Sequence, residues 1–307
     1  MNLKIVLTGG TGLIGSNLVL RLSNEGNEIT LFTRNVKSAK KNQSWANHIK
    51  EWDYTNPEQW KNYIGGKDAI VNLVGANLSA KRWSKNYKKI IYDSRVISTR
   101  NIVNAIRTCK VKPKALITVS AVGIYGDRGD EILSENSNYG DDFLANLCKD
   151  WENEAAKVDS LGVRRVTLRI GIVLSTNGGM LKKLLLPYKL FLGGKLGNGN
   201  QWLPWIHIQD VINIIEFALT NDSLTGVVNC CAAGIVKMKD FAKTFGNIVH
   251  RPSYLCIPKF IIRIVLGEIA NTAVSSQRIS IEKLLAAGYK FKFPELENAL
   301  KNLLKEV

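Results

Sequence analysis

The sequence predicts an α/β fold, a parallel sheet wound on both faces by helices, and three observations carry that reading. Short β-branched and apolar runs alternate with longer stretches of helical periodicity, the pattern of strands joined by helical crossovers. A glycine-rich turn closes the first apolar run and opens the first helix. With 307 residues, the chain can bury a sizeable core as one large domain or two joined ones.

The first strand is "KIVLTG" (4–9). Its apolar run ends within a few residues, too short for a signal peptide or a membrane span, so a cytoplasmic location is expected. A helical stretch near 13–25 leads to "EITLFT" (28–33), and "AIVNLV" (69–74) supplies the third strand. Helical periodicity returns over 85–108, followed by "ALITVS" (115–120), a helix over 142–160 and "RVTLRI" (165–170). Past residue 170 the pattern loosens into "LGGKLGNGNQW", a helix near 209–220, a strand at "GVVNCC" and small closing helices. The expected division is a nucleotide-binding unit over 1–170 that returns to its sheet at about 206–232. A smaller, interleaved C-terminal unit, 171–205 and 233–307, would cover the substrate.

The net charge of +16 raises nucleic-acid binding as a candidate, with basic patches at "KSAKK", "KRWSKNYKK" and "KVKPK". No nucleic-acid-binding motif accompanies them, and a lysine-rich solvated surface is the favoured reading. The cysteines, at 109, 148, 230, 231 and 256, are odd in number and lack a CxxC pair, which argues against a disulfide framework or a structural zinc. With only His48, His207 and His250, no metal-ligand cluster stands out.

The turn "TGGTGLIGSNL" carries the clearest chemistry. Gly9, Gly12 and Gly15 have dinucleotide-fingerprint spacing: one permits the turn, one admits a pyrophosphate to the backbone, one lets helix and strand approach. Thr8, Gly10, Thr11, Leu13 and Ile14 complete that cradle, and Leu73, Val74 and Gly75 after the third strand join the cofactor-binding set. The sheet is therefore expected to be of the Rossmann type. At the end of the second strand, where an acidic residue would select NAD, stand Thr33 and Arg34. A guanidinium grips a 2′-phosphate, so NADP(H) is the expected cofactor. Asp53 falls where an adenine-contacting carboxyl is often placed, with a plain turn residue the alternative.

With "TGGTGLIG", "VNLVGANL", "SRVIST", "VSAVGIYGD", "DFLANLCKDWE" and "LGNGNQWLPWIHIQD", the chain resembles the extended short-chain dehydrogenase/reductase superfamily. Within it, the chain is similar to the divergent nucleoside-diphosphate-sugar epimerase-like family over nearly its whole length. The resemblance implies a Rossmann fold with a small C-terminal domain and bound NADP(H), but no settled substrate. Typical members use a Tyr to exchange a proton with the substrate, a Lys four residues later to lower its pKa, a Ser to hold the substrate oxygen and a supporting Asn. Here Leu144 and Cys148 stand at the Tyr and Lys positions, Ser120 is retained, and Arg95 occupies the Asn position.

Cys148 reads either as part of a buried helix stripe with Leu144, Leu147, Trp151 and Ala155 or as a reactive thiol. Tyr125, on the loop after Ser120, is an alternative proton carrier, and Arg95 could polarise a carbonyl or hold an anion. Arg82, Trp83, Gln201, Trp202, Trp205 and His207 are expected as pocket walls, with a helix-start role the alternative for His207. The leading reading is an NADP(H)-dependent oxidoreductase or epimerase acting on a small polar substrate, a nucleotide-sugar by analogy only. The competing reading is a non-catalytic NADP(H)-binding sensor or scaffold linked to cell or plastid division. Oligomeric state is not legible.

Overall fold

The computed structural model describes residues 2–305. Seven strands form one parallel sheet: β1 (Lys4–Thr8), β2 (Glu28–Thr33), β3 (His48–Glu51), β4 (Ala69–Asn72), β5 (Ala115–Ala121), β7 (Arg164–Ile170) and β12 (Gly226–Cys230). Their order is β12-β7-β5-β4-β1-β2-β3. The chain builds outward from β1 to β3, then crosses back to β4 on the other side of β1. That reversal leaves a crevice at the C-terminal ends of β1 and β4, where open α/β sheets bind ligands.

The strands read as continuous apolar runs because helices cover both faces. On one face, α1 (Leu13–Asn24) and α7 (Ile208–Thr220) bring Leu18, Val19, Ile214 and Ile215 onto Ile5, Leu7 and Leu31. On the other, α4 (Val96–Thr108) covers Val6, Ile70 and Leu116 with Ile102 and Ile106, and α5 (Phe143–Ala156) packs beside it.

Two departures from the sequence reading bear on the site. The helical stretch expected over 85–108 is broken into α3 (Lys85–Asp93) and α4, with Ser94 and Arg95 between them. Ser94 Oγ accepts from the Ala76 amide at 3.0 Å, which ties the break to the loop after β4. The edge of the sheet, β3 with its sequence HIKE, and the short helix α2 (Val36–Asn42) were not expected from the apolar pattern. Both lie at the periphery, where burial imposes little periodicity.

Beyond β7, short strand pairs replace the sheet. β6 (Ile132–Leu133) pairs with β15 (Arg278–Ile279), β8 (Ile172–Ser175) with β11 (Trp205–His207), and β9 (Gly194–Leu196) with β14 (Leu255–Ile257), all parallel. β10 (Trp202–Leu203) pairs with β13 (Val236–Lys237) in the antiparallel sense. A second core gathers Leu181 and Tyr188 of α6 (Gly179–Lys189), Phe241 and Phe245 of α8 (Met238–Ile248), and Leu300 of the last helix, Leu296–Leu304, around Trp205. The helix α9 (Lys259–Leu266) lies near α6 across a cavity described below. No helix among the described residues is long and apolar enough to cross a membrane.

Candidate functional site

The turn after β1 is built by close backbone approach. Gly9 has φ +72°, and a Cβ there would lie 2.7 Å from the Leu73 carbonyl. A Cβ on Gly15 would lie 2.3 Å from the Gly9 oxygen. Gly12 precedes α1 and offers no side-chain cap, so amides of the first helical turn remain available to an anion. Beneath the turn, Thr8 Oγ1 donates to Asn72 Oδ1 at 2.7 Å, and Asn72 Nδ2 donates to Thr99 Oγ1 at 2.9 Å. Trp151 Nε1 donates to the same Thr99 oxygen at 2.9 Å. This buried chain of bonds locks β1, β4, α4 and α5 into one frame.

Beside the turn lies a cavity of about 410 Å³. Ile14, Leu73, Val74, Gly75, Arg95, Ser120 and Cys148, all expected site residues, line it together with Leu144 and Trp151. Ser120 stands near the end of β5, 4% exposed, and its hydroxyl has no hydrogen-bond partner among the described residues. Arg95 enters from the helix break. Its guanidinium donates to the carbonyls of Ile91 (3.2 Å) and Ala76 (3.1 Å) and lies 5.5 Å from the Trp151 ring centre. A Cβ on Gly75 would lie 2.7 Å from Arg95 Cζ, so that glycine makes room for the cation. Among the described residues no carboxylate pairs with Arg95, and burial lowers its pKa from the ordinary arginine value.

Cys148 belongs to the buried stripe of α5 and to the cavity wall at once. Burial, and then the nearby Glu152 carboxylate, push its thiol up to about 11, against smaller opposing effects of Ser120, the Ala121 amide and Arg95. A thiol so placed is protonated at neutral pH, which favours the buried-stripe reading of Cys148 over a thiolate nucleophile.

On the outer side of the turn, Thr33 is buried at the end of β2, and Arg34 follows it, exposed and without a side-chain partner among the described residues. Asn35 caps α2 by accepting from the Ser38 amide at 2.9 Å. Asp53 closes a turn, its Oδ1 accepting from the amide and hydroxyl of Thr55 at 2.9 and 2.7 Å.

Several expected pocket residues stand elsewhere. Tyr125 is fully buried and turned away from the cavity, its hydroxyl donating to Asn229 Oδ1 (2.7 Å) and accepting from Arg169 Nη1 (2.8 Å). Burial pushes the phenol up to about 12, and both contacts of its hydroxyl lie in this network rather than in the cavity beside the glycine turn. Trp205 Nε1 donates to the Gly234 carbonyl, and Gln201 Nε2 to the Leu196 carbonyl, each at 2.9 Å. Trp202 donates to Asp130 at 2.6 Å and lies under the cations of Lys237 and Arg278. His207 caps α7, its Nδ1 accepting from the Gln209 amide at 3.0 Å while its ring stacks on Phe293. The segment folds these four side chains into or against the second core, where Trp205, Gln201, Trp202 and His207 Nδ1 serve backbone and surface groups, while His207 Nε2 is buried without a partner among the described residues. Trp83 packs on Phe143 and donates to the Leu78 carbonyl, and Arg82 donates to the Ile264 carbonyl, so both brace loops outside the cavity.

Sequence reasoning missed Arg169, the buried cation on the next strand. An arginine inside the apolar run "RVTLRI" was itself a signal, since a buried cation requires a partner. It also missed a second cavity of about 690 Å³ adjoining the first, because its walls come from aliphatic positions indistinguishable from core by pattern.

Residues 5–231 match the NAD dependent epimerase/dehydratase family, and residues 257–303 match a domain of unknown function, DUF1731. The epimerase family protein YfhF of Bacillus subtilis is 36% identical over 306 residues, covering 99% of each chain. The chloroplastic epimerase family protein SDR39U1 homolog of Arabidopsis thaliana is 35% identical, over 99% of this chain and 87% of its own. The crystal structure of human epimerase family protein SDR39U1 (isoform 2) with NADPH superposes with a TM-score of 0.88 at 31% identity, over 99% of this chain and 100% of the human one. The glycine turn, the seven-stranded parallel sheet and these likenesses agree: the chain belongs to the NAD dependent epimerase/dehydratase family, among its epimerase-like, atypical short-chain dehydrogenase/reductase members.

Proposed function

We propose that the protein is an NADP(H)-dependent oxidoreductase that reduces a carbonyl compound without the tyrosine and lysine of its superfamily. The observation that carries this reading is the Ser120 hydroxyl, buried and facing the cavity beside the glycine turn, with no partner of good hydrogen-bond geometry among the described residues and only the weakly bonding Cys148 thiol beside it. Leaving such a group unpaired costs about 1–3 kcal/mol, which a substrate oxygen accepting from it removes.

The residues fit a dinucleotide. Gly9 and Gly15 leave no space for a Cβ where backbone must close up, α1 presents uncapped amides to a pyrophosphate, and Arg34 suits a 2′-phosphate. The NADPH in the human relative supports the same choice. When bound, the nicotinamide would supply a hydride, one proton with two electrons, to the carbonyl carbon. Ser120 donates to the carbonyl oxygen and fixes its position. Arg95, a cation that no carboxylate among the described residues neutralises, stabilises the negative charge developing on that oxygen. Cys148, a protonated thiol on the same cavity wall, returns the proton that Ser120 passes to the oxygen, and solvent admitted when product leaves reprotonates it. Residues 1–170, with the return at 206–232, hold the cofactor in this scheme, and 171–205 with 233–307 cover the substrate.

Calorimetric titration with NADPH and NADH tests the cofactor half. Tight NADPH binding that weakens in Arg34→Ala, with NADH unaffected, is expected. Absorbance assays of NADPH oxidation over a panel of carbonyl compounds test the chemistry, with Ser120→Ala and Cys148→Ala slowing turnover. NADPH binding with no turnover of any carbonyl would instead favour a cofactor-binding sensor.

A further inference from the structure

The second cavity differs in character from what a nucleotide-sugar requires. It shares Leu78, Ala121, Leu144, Ile170 and Gly171 with the cofactor cavity, so the two adjoin across those residues beside Ser120. Its far walls include Met180 and Leu184 of α6, Leu196 and Ile257 of the β9–β14 pair, and Ile262 and Val265 of α9. The only charged residues lining it, among those described, are Asp142 and Lys183, and Asp142 already caps α5 through the Ala145 amide at 2.8 Å. A volume of about 690 Å³ is that of a site for a whole organic ligand.

Thr272, Ser275 and Gln277, polar residues of the lining, already donate to the Ile269, Asn271 and Gly126 carbonyls, so phosphates and sugar hydroxyls placed against these mostly aliphatic walls would lose more hydration than they regain in partners. A hydrocarbon chain gains from the same walls, by roughly three- to fourfold in affinity for each methylene buried. The entrance supports the same class. Leu192 and Val265 line the cavity yet are 56% and 66% exposed. Ile261, which also lines the cavity, is 41% exposed on the same helix, α9, as Val265. Apolar side chains that line a cavity and are also exposed at its mouth suit an apolar ligand.

We infer that the substrate is a lipophilic carbonyl compound, its carbonyl at Ser120 and its hydrocarbon chain in the cavity between α6 and α9. The carbonyl end rests on the oxidoreductase reading, whereas the chain subsite rests on the cavity itself.

The test uses the full-length protein saturated with NADP⁺ and titrated by calorimetry with straight-chain 2-ketones, from butan-2-one to dodecan-2-one. Wild type is compared with Ile262→Trp, which fills the cavity, and with Val265→Glu, which places a charge at the exposed entrance and leaves the core untouched. Affinity is expected to climb by about three- to fourfold per methylene, and both variants to lose about tenfold or more for dodecan-2-one while retaining NADP⁺ affinity. An affinity independent of chain length, or Val265→Glu binding dodecan-2-one as wild type does, overturns the inference. Chain-length-dependent binding without NADPH oxidation by any ketone leaves the subsite standing and removes the oxidoreductase reading. Turnover of short polar carbonyls alone, with no binding of long ketones, does the reverse.

Discussion

Arg169 and Glu152 form a bidentate ion pair inside the protein, with Nε–Oε1 and Nη2–Oε2 distances of 2.9 and 2.8 Å. The two side chains are 1% and 7% exposed. Arg169 also donates to the Tyr125 hydroxyl and the Glu135 carbonyl, which fixes β7, α5 and the loop after β5 relative to one another. Glu152, four residues beyond Cys148, is thus a structural anchor of α5. Removing one partner of such a pair strands the other charge. Glu152→Ala is expected to cost about 3–5 kcal/mol of stability, read as a fall in the urea midpoint.

Tyr125→Phe provides the complementary case. It removes one hydroxyl from a buried network and is expected to cost on the order of 1 kcal/mol, with NADPH affinity and any ketone turnover retained. A loss of turnover by several orders of magnitude, at intact stability, would return Tyr125 to the role of proton carrier.

A protonated Cys148 has a chemical consequence. With burial holding its thiol at about 11, iodoacetamide at pH 7.5 is expected to spare Cys148 and to modify the exposed Cys256 first. Peptide mapping by mass spectrometry reads the order of modification. Prompt labelling of Cys148 at neutral pH, in folded protein, would show a thiolate there and reverse its assigned part.

The sheet and the phosphate turn were legible in sequence because each is dictated locally. A strand buried on both faces reads as an apolar run, and the turn admits only glycine where a Cβ would meet backbone, as at Gly9 and Gly15. Arg95 and Ser120 were placed by the family's pattern, and the structure brings both to one cavity. Direction of side chains was not legible. Trp202, Trp205 and His207 stand on a segment whose order in sequence says nothing about which way short strands turn their faces. The aliphatic cavity was invisible for a related reason: Leu184 and Ile262 obey the same helical spacing whether they face a core or an empty space.

The turn offers a paired test. Gly15→Ala would bring a Cβ to 2.3 Å from the Gly9 oxygen, a backbone atom that cannot yield without opening the cradle. NADPH affinity is expected to fall by about tenfold or more, alongside a stability loss of about 1–3 kcal/mol. Gly26→Ala serves as the control. Its φ of +80° costs about 1–2 kcal/mol for a residue with a side chain, but nothing lies within 4 Å of the added carbon. Equal NADPH affinity in that variant would assign the Gly15 effect to geometry rather than to general destabilisation.

His207 predicts how stability responds to acid. Burial lowers its pKa to about 4 from an ordinary 6.5, outweighing the opposing pull of Asp210, and the α7 N-terminus disfavours a cation at the same place. The folded state therefore refuses a proton that the unfolded state accepts between those two values. Stability from this residue is complete above the unfolded pKa and is lost as pH falls from 6.5 toward 4, amounting to about 3 kcal/mol at most. His207→Asn keeps an acceptor for the Gln209 amide and removes the titration. Urea midpoints measured at pH 7, 5.5 and 4.5 are expected to fall more steeply for wild type than for this variant. Parallel losses in the two proteins would show that acid acts elsewhere, through carboxylates such as Asp68 and Glu28 whose pKa values are lowered by their lysine partners.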